Sequence, residues 1–428
     1  VVAAQSQRPA QAVELIGKAI RINPRHAAAF SNLGNALHAL HQYAAALESY
    51  DRAIGLQPDY PEAYCNRGTA LRSLGQHEAA LQSYDRAIAL KPRYAEAYYN
   101  RGAALQDLGR LEAALQSYQH AIACRPEYPE AYFNCGVALQ DLQRPEAALE
   151  AYDRAIALKP DYAEAYNNRG DVLQSLGRHE AAIESFDCAI GLEPEYAEAY
   201  NNRGNALRPL RRHDMALQSY NRAIALRPEY AEAYNNRGNA LQDLGQYEAA
   251  LQSYEQAIAI RPGYVEAHWN KSVLLLRQGR FEVGWSLYDW RFKRTKVWNQ
   301  RESGALPWTG EARSPSLLIL PEQGVGDEIF YAGMIPDVMQ CVDTATLVAD
   351  ERLVPLFHRS FRAAGLKLVG KSEQVAAHHH EAFLGSLGKR FRGNAQSFLS
   401  IKSPYLRACS TRSAELRNRL KPEGELLC

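Results

Sequence analysis

The chain repeats itself every 34 residues, and this period constrains its fold more than any other feature. The segment 162–195, YAEAYNNRGDVLQSLGRHEAAIESFDCAIGLEPE, returns with few changes from Tyr60, Tyr94, Tyr128, Tyr196 and Tyr230. A first copy starts at His26 and a degenerate one at Tyr264. Before Arg25, AIRINP matches the AIALKP that closes later copies, so residues 1–25 read as part of a still earlier unit. A period of this length signals stacked supersecondary units, none of which can bury its apolar face alone.

The chemistry of one copy predicts two helices. Glu164 lies in the first turn of the first, where a carboxylate suits the positive end of the helix dipole. Tyr166, Gly170 and Leu173 recur at three and four residues and form a stripe on one face. Gly177 follows as a C-terminal cap. The second helix buries Ala182, Ile183, Phe186, Ala189 and Ile190, and Pro194 stops it. Gly170, Ala182 and Ala189 are small enough to let the two helices approach closely.

An aromatic, a glycine four residues later, alanines in the second helix and a closing proline together resemble the tetratricopeptide repeat (TPR). The resemblance spans roughly residues 1–297. It implies an all-α solenoid, a right-handed superhelix whose concave groove holds peptides or partner proteins. The expected organisation is a partial repeat helix at 1–25, seven repeats at 26–263 and a degenerate repeat or cap at 264–297. A linker at 298–312 and a small Rossmann-like α/β region at 313–428 follow. Pro209 should shorten or kink one first helix.

One polar position barely varies: Asn32, Asn66, Asn100, Asn134, Asn168, Asn202, Asn236 and Asn270. Asparagine is a mediocre helix former, so its persistence in the middle of eight first helices needs a reason. An amide both donates and accepts, so it can pair with a peptide backbone whatever the side chains. The column resembles the asparagine ladder of the O-GlcNAc transferase superhelix, which implies a grip on extended polypeptide. Two other readings stay open: recent copying of the repeats, or bonding between neighbouring first helices. Arg67, Arg101, Arg169, Arg203 and Arg237, with Lys271 last, follow the asparagines. Salt bridges to nearby carboxylates account for them, and a groove preferring acidic peptides is the alternative.

Charge is nearly balanced, with 49 Lys+Arg against 48 Asp+Glu, which argues against an electrostatic nucleic-acid binder. No apolar run is long enough to span a bilayer. The first residues show neither an initiator Met nor a secretory signal, so a fragment is expected at that end. Cys65, Cys124, Cys135, Cys188, Cys341, Cys409 and Cys428 lack metal-ligand spacing and read as small buried or half-buried thiols in a reducing cytoplasm.

Beyond the repeats, Trp285 and Trp290 are expected to seal the end of the solenoid, and Trp308 to anchor the linker. Strands are predicted at 316–322, 344–350 and 366–370, with helices at 327–340, interrupted by Pro336, and at 351–361. Strands alternating with helices imply a parallel sheet whose functional edge lies at the strand C-termini. The loop Gln323–Asp327 falls at that edge and lacks both dinucleotide and P-loop spacing.

The ordered stretches GWSLYDWRF, LPWTG, LLILPEQGVGDEIFYAGMIP and SPYL resemble bacterial TPR proteins with a heptosyltransferase-like, GT-B type glycosyltransferase domain. That resemblance implies a general-base role for Asp327 toward an acceptor hydroxyl, with Gly324 and Gly326 giving backbone room. The bland alternative is that Asp327 caps the following helix. A GT-B enzyme needs a second domain for its nucleotide-sugar donor, and the sequence stops where that half would begin. No cofactor is therefore expected for this chain, which alone would be inactive. His378, His379 and His380 read as a solvated loop, and no metal site is expected. Three functions follow: a peptide- or protein-binding scaffold, the acceptor-binding part of a glycosyltransferase, or an assembly protein that self-associates through exposed repeat ends.

Overall fold

The computed structural model describes residues 9–294, 305–310, 312–322, 324–361, 365–399, 405–407, 409–411 and 413. The chain forms two compact units, Val1–Pro228 and Glu229–Cys428.

The first unit is entirely helical among the described residues. Helix α1 (Pro9–Ile22) precedes six helix pairs: α2 and α3 (Ala27–Ala39, Tyr43–Leu56), α4 and α5 (Pro61–Ser73, His77–Leu90), and α6 and α7 (Ala95–Asp107, Leu111–Cys124). Then come α8 and α9 (Pro129–Asp141, Pro145–Leu158), α10 and α11 (Ala163–Ser175, His179–Leu192), and α12 and α13 (Ala197–Leu207, His213–Leu226). Each second helix buries one aromatic ring: Tyr50, Tyr84, Tyr118, Tyr152, Phe186 or Tyr220. The ring fills the space a side chain would need on the facing glycine. A Cβ on Gly102 would meet Tyr118 at 2.6 Å, and one on Gly170 would meet Phe186 at 2.5 Å. Glycine at this position is thus a packing requirement that lets the pair close.

Every first helix ends on a residue in the left-handed region. Gly75, Gly109 and Gly177 adopt it at φ 70–73° without steric cost, and Gly177 caps α10 as expected. His41, Gln143 and Arg211 adopt it at φ 58–59° although they carry a Cβ. Pro209 has the expected effect: α12 has 11 residues where α10 has 13. Cys65 and Cys135 are buried thiols, and burial pushes both up to about 12, leaving them unreactive. Cys188, by contrast, is exposed.

The second unit begins with helical repeats: α14 and α15 (Ala231–Asp243, Tyr247–Ile260), α16 and α17 (Val265–Arg277, Phe281–Tyr288) and the single turn α18 (Arg291–Arg294). In the last pair Ser272 replaces the packing glycine, and its Oγ donates to the Gly284 carbonyl at 2.8 Å. The α/β part follows: β1 (Leu306–Pro307), β2 (Ser314–Leu320), α19 (Val325–Ala332), α20 (Ile335–Cys341) and β3 (Val342–Ala349). After them come α21 (Val354–Ser360), β4 (Leu366–Gly370), β5 (His380–Phe383), a 3-10 turn (Leu384–Leu387), α22 (Gly388–Phe391) and α23 (Gln396–Leu399).

The sheet is parallel throughout, in the order β1-β5-β2-β3-β4. The chain winds outward from β2 to β4, then returns to place β5 on the other side of β2. The single helix expected at 327–340 is two, broken at Gly333 and Met334. Pro336 sits in the first turn of α20, where its missing N–H costs nothing.

The histidine run is a solvated loop only in part: His378 and His379 lie outside regular structure, and His379 is exposed. His380 opens β5, and the imidazoles of His378, His379 and His380 bond the hydroxyls of Thr346, Ser316 and Ser314 at 2.9 Å each. The three tryptophans also differ in role. Trp285 does not merely seal the repeats: with Tyr288 it belongs to the core of the sheet, beside Leu317, Ile319, Tyr331 and Phe357. Its Nε1 donates to the Arg392 carbonyl at 2.8 Å. Trp290 stacks on His268 at 3.8 Å, and Trp308 is a half-buried residue donating to the Ala312 carbonyl at 3.2 Å.

Candidate functional site

In the first unit successive first helices touch one another, α2 to α4, α4 to α6, α6 to α8, α8 to α10 and α10 to α12, and no pair of second helices does so to the same extent. The side on which neighbouring repeats come closest is the inner wall of a curved stack. The asparagines lie in these first helices, and all are half-buried.

Their amides reach toward the preceding repeat. Asn66 Nδ2 donates to Asn35 Oδ1 at 2.9 Å, Asn100 Nδ2 to Cys65 Sγ at 3.6 Å, Asn134 Nδ2 to the Tyr99 hydroxyl at 3.0 Å and Asn202 Nδ2 to Asn167 Oδ1 at 3.2 Å. In the second unit Asn270 Nδ2 donates to Asn235 Oδ1 at 2.9 Å and to Asn239 Oδ1 at 3.1 Å. Asn168 and Asn236 accept from the adjacent Asn167 and Asn235, at 3.2 and 3.4 Å. Asn32 makes no bond of this kind among the described residues. The bond between neighbouring first helices is therefore present at Asn66, Asn100, Asn134, Asn202 and Asn270, and it orients those amides.

The basic residues that follow the asparagines point away from this wall and clamp adjacent repeats. Arg101 Nε donates to Asp85 Oδ1 and Nη1 to Ser117 Oγ, both at 2.7 Å. Arg67 and Arg203 repeat the pattern, Arg169 pairs with Asp153 at 2.7 Å, and Lys271 with Glu255 at 2.8 Å. These carboxylates are more than half exposed, so each pair adds a few tenths of a kcal/mol, roughly.

A second polar column escaped the sequence reading. In six of the copies the buried tyrosine of the second helix donates its hydroxyl back to the first helix. Tyr50 bonds Asn35 at 2.8 Å, Tyr220 bonds Asn205 at 2.9 Å, and Tyr254 bonds both Asn239 at 2.9 Å and Gln242 at 3.4 Å. Where the first-helix residue is apolar, Tyr118 and Tyr152 turn to Gln106 and Gln140 instead, at 2.9 and 3.1 Å. The shared 34-residue register of Asn35, Thr69, Asp171, Asn205 and Asn239 could have exposed this column.

At the sheet, Gly324 is the N-cap of α19 and Asp327 lies in its first turn. Asp327 is exposed and does not serve as the cap residue, which corrects the alternative reading. Gly326 faces open space, and Gln323 lies outside the described residues. The structure instead buries two neighbouring acids that the sequence did not single out. Glu322 Oε1 accepts from Gly385 N at 2.6 Å and from Arg291 Nη2 at 3.1 Å. Burial pushes the Glu322 carboxyl up, and Arg291 opposes that shift. Glu328, fully buried, pairs with Lys371 Nζ at 2.6 Å and accepts from Asp350 N at 2.8 Å. The gap between the C-termini of β2 and β5, where the winding reverses, is thus occupied by Arg291 from the last repeat. Among the described residues no cluster of three His, Cys, Asp or Glu side chains could hold a metal, and no helix is long and apolar enough to cross a membrane.

Comparison with known families matches the tetratricopeptide repeat at residues 163–196 and 231–264, and related TPR models at 35–71, 68–109, 104–143, 141–177, 212–245 and 15–48. This chain is a TPR protein. Its repeats make a scaffold suited to binding proteins or peptides. FlbA of Caulobacter vibrioides is 35% identical over 83 residues, which is 18% of the TPR chain and 14% of FlbA, so the chain spans only a small part of that relative. Among solved structures, YrrB, described as a TPR protein with an unusual peptide-binding site, is 26% identical with a TM-score of 0.40, over 44% of this chain and 96% of its own. The Cut9–Hcn1 assembly is 17% identical with a TM-score of 0.47, over 61% and 52%.

Proposed function

We propose that this TPR protein holds extended polypeptide along its first-helix wall, with the asparagine column gripping the peptide backbone. The observation that carries the reading is the orientation of the amides. Asn66, Asn100 and Asn134 each commit one N–H to the preceding repeat. A carboxamide has a second N–H and a carbonyl oxygen, so the pinned side chain retains a donor and an acceptor for a ligand. Pinning also lowers the entropy lost when a ligand is bound.

The test uses peptides selected on the full chain from a degenerate dodecapeptide display library. Replacing Asn134, Asn168 and Asn202 together with alanine should weaken their binding by more than tenfold. The loss of stability should be only about 1 kcal/mol per lost bond. Unchanged binding in the triple variant sinks the proposal.

A second reading concerns the sheet. The exposed Asp327, at the C-terminal edge of parallel strands, fits an acceptor-binding loop of a sugar-transferring protein. If so, Asp327→Asn in a longer protein with transferase activity should cut the rate by about a hundredfold or more. Undiminished transfer removes Asp327 as the base.

A further inference from the structure

The repeat 162–195 breaks the tyrosine rule described above. In its six neighbours of the same pattern the second-helix ring carries a hydroxyl that bonds an acceptor on the first helix. Here the ring is Phe186, fully buried in the same place, with the usual Gly170 against it. Its first helix nevertheless keeps both acceptor positions, as Asp171 and Gln174. Tyr254 shows that one hydroxyl at this point reaches both positions of its own repeat. By the same register the two acceptors of α10 flank the place of the missing hydroxyl, and among the described residues neither the Asp171 carboxylate nor Gln174 Oε1 accepts a bond there. Gln174 Oε1 is buried and takes no hydrogen bond among the described residues.

Resting on the groove reading above, we propose that Asp171 and Gln174 form a subsite that takes the side-chain ammonium of a lysine in the bound polypeptide. Three features select that group. Gln174 Oε1 and the ionised Asp171 carboxylate both present lone pairs, so an occupant that bonds both must donate. A partly desolvated carboxylate gains more from a full positive charge than from a neutral donor. The missing feature is one hydroxyl, which suits a compact ammonium better than a planar guanidinium.

The local electrostatics agree. Burial pushes the Asp171 carboxyl up to about 7, and no cation among the described residues opposes that shift. The groups that feel its charge are Tyr152 of the preceding repeat and Tyr196. Arg169, the nearest cation in sequence on the same helix, is committed to Asp153 and Ser185. Asn202 donates to Asn167, which lies one helical turn before Asp171 on α10, and this places the subsite beside the asparagine column.

The conservative variant is Phe186→Tyr, which restores the hydroxyl that the other repeats carry and so fits the fold. With library-selected dodecapeptides on the full chain, the expected result is a lysine required at one register. Changing that lysine to norleucine should weaken binding about tenfold or more, as loss of a charge-assisted hydrogen bond does. Phe186→Tyr and Asp171→Asn should each erase the difference between the lysine and norleucine peptides. Selected peptides that depend on Asn134 and Asn202 but show no lysine preference overturn the subsite and leave the groove reading intact. So does an undiminished lysine preference in Phe186→Tyr. Peptides indifferent to both the asparagines and Asp171 overturn both readings.

Discussion

The helix pairs of the first unit and the cap-plus-sheet of the second solve one problem, burying polar groups, over very different distances in sequence. In the first unit, amides, tyrosines and arginines find partners 12 to 35 residues away. In the second, Arg291 bonds Ser386 across 95 residues and Trp285 bonds Arg392 across 107. The repeats are thus a sum of local units and near-neighbour interfaces, whereas the sheet is one core that forms all together. Damage should spread accordingly: narrowly in the repeats, widely around the sheet.

The largest effect is expected at Arg291. Arg291→Met strands Glu322 in a buried site and should cost about 3–5 kcal/mol. Hydrogen exchange should show protection lost together in β2, β5 and α17, with α6 to α11 unchanged. Equal loss in the array would break the contrast. Next is Gly102→Ala, which drives a Cβ into the Tyr118 ring and should cost about 1–3 kcal/mol. Its exchange effects should be confined to α6, α7 and their immediate neighbours. A change that reached α1 and α13 would show that the repeats act as one cooperative core.

Gln143→Gly relieves a left-handed residue and should stabilise by about 1 kcal/mol, read as a rise in unfolding midpoint. His41→Gly and Arg211→Gly should do the same, and the reverse change, Gly109→Gln, should cost a similar amount. A loss of stability in Gln143→Gly would mean its side chain contributes more than the backbone strain.

The smallest expected effect is at Asp171, which is only half-buried and partly screened by water. Its carboxyl titrates near 7 in the folded protein and in the ordinary carboxylate range, about 4, when unfolded. The native state therefore holds the proton longer, so this group's contribution to stability falls as pH rises from about 4 to about 7 and is flat above. Asp171→Asn removes that fall. Its advantage in unfolding temperature over the parent chain should open between pH 5 and 7 and then stay constant. An advantage of the same size at pH 5 and pH 8 would place the Asp171 titration outside this window.

The legible features were those with local causes. The 34-residue register, the packing glycines, the Gly177 cap and the shortened helix at Pro209 all depend on residues within one or two repeats. The strand at 366–370 was also read correctly, because it is a short apolar run bounded by glycines. β5 was missed because HEAF has no apolar run and is held by its neighbours on both sides. The asparagine column was visible, but its contacts were not, since spacing along the chain does not say which way an amide turns. Phe186 and Asp171 were both in view, yet their meaning required the tyrosine hydroxyls of the other copies to be seen bonding back to the first helix.

By itself the sequence determined that this protein is a stack of helix pairs with an asparagine at one site in every copy. The reason is that each pair closes through short-range packing repeated in the same register. Only the tertiary structure decided that the amides brace one repeat against the next and that Arg291 sits buried against the sheet. It also decided that one repeat keeps two acceptors without its usual donor. Those outcomes depend on side-chain direction and on burial by residues far away in the chain, which no periodicity encodes.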